Sequence, residues 1–313
     1  MTTPAWTQPE LYLAQRLVRE GLNTDQVSKE LEKAGCRRTQ QAVRRLIQRK
    51  RQTENGWHAM VAESPIKYDQ QPMTVEGDFL ALADVHAPLH DAAFANLCIG
   101  EALRLAVRNV ILAGDLVNLD ALCFWGNESE AIAEQDIIAT EQILGVLAHE
   151  FEYVYWFAGN HDLRIARKLD RAVRMQRLFN LFVRAPNVIV SDFLWCWADS
   201  GERRYRVTHP GTRSRHATWV AKDLCSIHNC SVICGHGHGW GMTKDVSGRH
   251  FAIDSGIVAD PGKILYSLKR DTRDPKMLQG AVIVRSGLPR LLCPETLGVA
   301  AELYDAQRAL RGQ

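Results

Sequence analysis

Over residues 8–51 the apolar positions recur at helical spacing. Leu13, Ala14, Leu17 and Val18 form one stripe, Val27 and Leu31 a shorter one, and Val43, Leu46 and Ile47 a third. Asn23 or Thr24 suits the N-cap of the second helix and Thr39 that of the third; Gly21 and Gly35 sit where the first two helices should stop. The spacing predicts three short helices joined by tight turns, a helix-turn-helix domain over 1–54. Residues 55–77 contain Asn55-Gly56, Pro65 and Pro72 with little periodicity and read as a linker, with Trp57 or Tyr68 placed to pack on the domain that follows.

From residue 78 the pattern changes. Apolar strand-like runs fall at 79–83, 109–113, 152–158, 187–190, 204–208, 231–234 and 280–284, with helical stretches near 91–107, 129–149, 162–182 and 214–227. That alternation predicts an α/β domain over 78–298. The tail, 299–313, reads as a short C-terminal helix.

Composition narrows the class. The chain has 313 residues, 46% hydrophobic and 24% charged, which excludes disordered and fibrous classes. The net charge of +2 argues against a globally basic nucleic-acid binder while leaving room for a local basic face. No apolar run is long enough to cross a membrane, and Met-Thr-Thr-Pro opens no secretion signal, so a cytoplasmic protein with no membrane partner is expected. The eight cysteines are widely spread and read as reduced thiols. Cys230 and Cys234 flank a strand-like run, which holds them too far apart for one metal ion.

The third helical segment is chemically lopsided. Between Arg37 and Arg51 there are seven Lys or Arg residues and no Asp or Glu. Gln40, Gln41, Arg44, Arg45 and Gln48 lie away from the apolar face, and these are side-chain types that pair with base edges. Arg37, Arg38, Arg49, Lys50 and Arg51 suit phosphates. The run Arg-Thr-Gln-Gln-Ala-Val-Arg-Arg-Leu-Ile resembles the third helix of Myb/SANT-like domains, although the later tryptophans of a full Myb repeat are missing. The resemblance implies DNA as a partner. A merely solvated basic helix, or one docked on an acidic partner, carries the same pattern.

The remaining chemistry sits where strands end. Successive apolar runs exit into Asp84-Val85-His86, Gly114-Asp115, Gly159-Asn160-His161-Asp162, His209 and Gly235-His236-Gly237-His238. Ligands of open α/β sheets collect at such exits. Five of the eleven histidines lie in these segments; His90, His149, His216, His228 and His250 fit no ligand position. Carboxylate, imidazole and amide donors suit manganese first, with iron, zinc, nickel or cobalt as alternatives. Two divalent ions about 3.5–4 Å apart need a shared carboxylate, and Asp115, leaving a central strand alone, is the natural bridge.

This ordered set resembles the calcineurin-like metallophosphoesterase family over roughly 78–260. The resemblance implies a four-layer α/β/β/α sandwich. It implies that Asp84, His86, Asp115 and His238 hold one metal, and that Asp115, Asn160, His209 and His236 hold the second. A hydroxide between the ions is expected to attack phosphorus, with His161 as general acid and Asp162 orienting it and favouring its protonated form. Asp162 also suits a helix N-cap. Arg164 is positioned to meet substrate phosphate or a surface carboxylate, and Trp125 to stack on a base, with Trp240 on the same rim. The family's protein phosphatases continue Gly-Asp towards Asp-Arg-Gly; here Leu116-Val117-Asn118-Leu119-Asp120 follows, which disfavours that role. The expected function is a phosphodiesterase or nuclease on DNA. The alternatives are a phosphomonoesterase or nucleotide phosphatase, and a catalytically silent DNA-binding scaffold.

Overall fold

The computed structural model describes residues 5–58, 71–123, 132–169, 173–181, 183, 185–264 and 277–298. Trp125 and the expected helix over 299–313 lie outside them. The chain divides into two compact units, Met1–Asp69 and Gln70–Gln313.

The first unit contains α1 (Gln8–Arg19), α2 (Thr24–Lys33) and α3 (Gln40–Thr53). Thr7 and Glu10 form a reciprocal capping box on α1, Asn23 and Gln26 another on α2, and the Thr39 hydroxyl caps α3. The predicted stripes meet: Leu17, Val18, Val27, Leu31, Val43, Leu46 and Ile47 share one core. Trp57, expected on the linker and against the second domain, is instead buried in this helical core.

The second unit is two six-stranded sheets face to face. One runs β12 (Leu288–Leu292), β11 (Ala281–Arg285), β2 (Phe79–Leu82), β3 (Asn109–Ala113), β4 (Tyr153–Phe157), β5 (Val188–Ser191). Here β2 to β5 are parallel, and β11 and β12 add antiparallel. The other runs β1 (Thr74–Glu76), β6 (Trp195–Ser200), β7 (Arg203–Thr208), β8 (Ser231–Cys234), β10 (Phe251–Ser255), β9 (Trp240–Lys244).

Strand alternation builds the layers. Phe79, Ala81, Ile111, Ala113 and Phe157 point inward onto Tyr205, Val207, Ile233 and Ile253 of the facing sheet. Leu80, Leu82, Val110, Leu112 and Trp156 point outward, under α4 (Ala92–Arg104), α5 (Ala133–Glu150) and α7 (Met175–Phe179). On the far side α8 (Trp219–His228) places Ala221 and Cys225 over Val232, Cys234 and Ala252. The layer order is therefore helix, sheet, sheet, helix. Cys230 and Cys234 pack as core side chains there, and all eight cysteines are free.

Two expectations are corrected. The single helix over 162–182 is broken into α6 (Leu163–Lys168) and α7. Strands β1, β6, β9, β10 and β12 carried no apolar run strong enough to predict them: β9 is an edge strand with Gly241, and β12 is an edge strand that tolerates Pro289 because its outer side needs no donor.

Candidate metal centre

Parallel pairing puts the carboxyl ends of β2, β3 and β4 side by side, and those of β7 and β8 likewise. Each chain exit is then a short turn that reverses sharply. Asp84, His86, Asp115, His236 and His238 all have left-handed φ, between 49° and 69°. Non-glycine residues adopt that region rarely and at a cost, and such strain gathers at functional sites. Glycines supply the clearance. A Cβ on Gly114 would lie 2.5 Å from the His209 ring, and one on Gly159 would collide with the Asp115 backbone and carboxylate.

The turns converge on two triplets. Asp84, His86 and His238 offer donor atoms within 4.8 Å of one another, as do Asp115, His209 and His236. Asp84 Oδ1 lies 3.2 Å from His238 Nε2 and 3.9 Å from His86 Nε2. Asp115 Oδ2 and Asn160 Oδ1 each lie 3.2 Å from His209 Nε2. Donors bound at about 2.1 Å to one cation sit roughly 3 Å apart, so the 3.2 Å separations are of the size that shared ligation needs. The His209 Nδ1–H donates to the Ala113 carbonyl at 3.1 Å, which leaves Nε2 facing the cluster.

Burial sharpens the case. Asp84, His86, Asp115 and His209 are each 1% exposed or less. Yet among the described residues Asp84 Oδ1 and both His86 ring nitrogens have no hydrogen-bond partner. Unpaired buried polar atoms are costly unless something satisfies them. Such unpaired atoms, in a set of carboxylate and imidazole donors within 4.8 Å of one another, fit a divalent metal ion.

The metal-free electrostatics are strongly polarised. Burial pushes the His209 imidazole down, but the Asp115 carboxylate overrides it and raises the group to about 10. Burial, helped by the neighbouring His161, lowers His86 to about 3. Asp115 is held well below the usual carboxylate range: burial opposes ionisation, and His209 and His161 outweigh it.

Asn160 joins through its contact with His209, so the structure brings all seven predicted ligand residues together. His161 is there too, with His86 and Asp115 in a third triplet within 4.8 Å. Its backbone N–H donates to Asp115 Oδ1 at 2.7 Å. The expected roles around it change. Asp162 does not orient the His161 ring: its carboxylate accepts from the Val117 and Gly159 backbone N–H groups at 3.1 and 2.7 Å, tying the β3 and β4 exits together. Nor does it cap α6 through its side chain. Burial, with Asp115 adding repulsion, raises Asp162 to about 7.

The His161 ring is held by Asn118 and Arg164. Nδ1 meets the Asn118 carbonyl at 2.8 Å, and Nε2 lies 3.0 Å from Arg164 Nη2. Burial lowers the His161 pKa, with Arg164 adding to the effect, so the ring is not biased towards its protonated form. Arg164 itself pairs with Asp120 at 2.7 Å. Asn118, noted in the sequence only as a departure, proves central: it is buried, its carbonyl holds both His161 and Arg164, and its Oδ1 has no described partner. Its position three residues beyond Asp115 of the Gly-Asp exit was the available signal. Trp240 is not a rim aromatic: its indole N–H donates to the Leu292 carbonyl at 3.1 Å, and its ring packs against Gly280.

Gln41, Arg44, Arg45, Gln48 and Arg49 on α3, and Arg37 just before it, are exposed. Two expected contacts are engaged within the helical unit. Gln40 bonds Asp25, and Arg38 pairs with Glu10 at 2.7 Å, bonds the Ala5 carbonyl and covers the Trp6 ring.

Neither a family model nor a curated protein sequence matches the chain. Solved structures do resemble it at low identity. A phosphoesterase from E. coli, YfcE, is 12% identical with a TM-score of 0.40, over 69% of this chain and 92% of that one. Vacuolar Protein Sorting 29 from Cryptosporidium parvum is 13% identical with a TM-score of 0.36, over 69% and 95%. TT1561 of Thermus thermophilus is 12% identical with a TM-score of 0.37, over 69% and 98%. Among the described helices none is long and apolar enough to cross a membrane.

Proposed function

We propose that the chain is a calcineurin-like metallophosphoesterase that hydrolyses phosphodiesters of DNA with two divalent cations, manganese being the first choice. The observation that carries this reading is the convergence of two His/Asp triplets in which Asp84, His86, Asp115 and His209 are buried, with Asp84 Oδ1 and the His86 ring left without a hydrogen-bond partner among the described residues. Asp84, His86 and His238 would hold one cation, and His209, His236 and Asn160 the other. Asp115 would serve both. Bound there, such ions lower the pKa of water and stabilise charge on phosphoryl oxygens.

The other tasks fall to the chain. The Ala113 carbonyl fixes the His209 tautomer. Asp162 locks two ligand-bearing turns to each other. His161 lies within 4.8 Å of His86 and Asp115 and belongs to neither of the two triplets; it remains our choice for handing a proton to the leaving alkoxide. That role requires Arg164 to turn from His161 Nε2, which frees its guanidinium for a phosphoryl oxygen.

The DNA half of the reading rests on the exposed Arg and Gln face of α3, which bears no acidic residue in its first turn. A tethered DNA reader raises the local concentration of substrate. Cytoplasmic residence is proposed on the eight free cysteines.

The test is a manganese-supplemented assay on bis-p-nitrophenyl phosphate, p-nitrophenyl phosphate and plasmid DNA, with Asp115→Asn alongside. We expect diester hydrolysis and plasmid cleavage by the wild type, both reduced at least about a thousandfold in the variant. Preference for the monoester moves the substrate to phosphomonoesters. Equal inertness of both proteins on all three substrates overturns the enzyme reading.

A further inference from the structure

Between His209 and α8 the chain runs Pro-Gly-Thr-Arg-Ser-Arg-His-Ala-Thr-Trp, with two arginines and no acidic residue. One end of this loop is the ligand His209. The other end is held beside the turn that carries His238: Ala217 lies against Gly239, the residue after His238, and the Thr218 backbone N–H donates to Asp254 Oδ2 of β10 at 2.7 Å. The loop therefore starts at one ligand triplet and finishes beside the other, along the rim of the metal centre.

Trp219 closes the loop and is 57% exposed, the one described tryptophan whose ring is left open to solvent. Trp57 and Trp156 are buried, and Trp6, Trp195, Trp197 and Trp240 are at least half covered. Its ring centroid lies 5.5 Å from that of His216, the planes inclined by 38°. A second contact holds the pair: the Trp219 N–H donates to the His216 carbonyl at 3.3 Å. Thr218 between them has a left-handed φ of 67°, so the turn that presents the indole is a defined conformation. Arg215, next to His216, is exposed.

We propose that Trp219 and His216 form a stacking platform for an unpaired base, and that Arg215 receives an adjacent phosphate. The loop would then be a single-stranded DNA subsite beside the metal centre. An open indole on a cationic, acid-free loop is complementary to a strand that alternates aromatic faces with negative charge. A base inside a duplex has both faces already stacked, so the platform selects unpaired strands. The proposal deepens the phosphodiesterase reading, naming the form of DNA the metal centre receives; the platform itself is tested without turnover.

The full-length chain is titrated into fluorescein-labelled dT6 with chelator present, and anisotropy is read for wild type, Trp219→Ala, Trp219→Phe, Arg215→Ala and Arg44→Ala/Arg45→Ala. We expect Trp219→Ala to weaken dT6 binding about tenfold and Trp219→Phe to restore most of it, as stacking on any aromatic face predicts. Arg215→Ala should weaken binding and flatten its salt dependence. Unchanged dT6 affinity in Trp219→Ala overturns the proposal, as does binding that only the α3 variant loses. So does a wild type that binds dT6 no better than a peptide or an anionic vesicle. Hydrolysis of methyl p-nitrophenyl phosphate by the manganese-loaded wild type is measured in parallel. Its absence overturns the phosphodiesterase reading, and the dT6 result still decides the platform.

Discussion

The metal centre and the basic face of α3 are both rich in charge, yet their physical situations are opposite. The centre gathers side chains from positions as far apart as Asp84 and His238 and buries them, leaving donor atoms unpaired. At Asp84 Oδ1 and the His86 ring, folding loses hydration without an internal replacement among the described residues, which a bound ligand would account for. The α3 face is contiguous in sequence and open to water, where arginine heads are solvated at no cost. A cluster that is expensive to bury speaks for a function by existing. A charged helix speaks for one only when a partner is added.

The largest test of this contrast is Gly159→Ala. The added methyl must enter the space of the Asp115 carboxylate, so metal affinity is expected to fall ten- to a hundredfold, measured by calorimetric titration of the metal-stripped chain. An unshifted affinity means that Asp115 does not bridge. Next is Arg44→Ala/Arg45→Ala. Plasmid binding should weaken about tenfold, and the slope of log affinity against log salt should drop by about 2. Unaltered binding and slope remove α3 as a DNA reader.

The smallest effect is within the helical unit. Arg38 beside Glu10 draws that carboxyl down to about 2 from an ordinary value of 4.5. A depressed carboxyl contributes stability above its unfolded pKa and loses it as pH falls through its folded one. Glu10→Gln should therefore lower the melting temperature of the helical unit near neutrality. The gap to wild type should close between about pH 4.5 and pH 2. A gap that persists in acid means that packing, rather than the ion pair, is responsible.

The sequence disclosed what depends on local pattern. The N-terminal stripes, the caps Asn23 and Thr39, and the strands with continuous apolar runs needed no tertiary information. The cluster of candidate donors was legible because each closely follows such a run, and strand exits must lie together in a parallel sheet. What stayed hidden depends on who stands opposite. Asp162 carries the chemistry of an orienting carboxylate, but its partners are backbone groups, one from its own turn and one from the β3 exit. The Asn118 carbonyl, which holds His161 and Arg164, is a backbone atom that no residue identity could announce. Trp57 looked like linker because one aromatic has no period, and only the assembled helices give it a place.

The left-handed backbone at Asp84, His86, Asp115, His236 and His238 has a consequence for substitution. Outside glycine, that region of backbone space admits aspartate, asparagine and histidine far more readily than branched or bulky residues. The turns thus restrict their own alphabet before any ion arrives. Drift at these positions is channelled towards residues that still coordinate, or towards glycine, which fits the bend and donates nothing. A glycine at one of them in a homologue would mark a chain that kept the shape and gave up the chemistry.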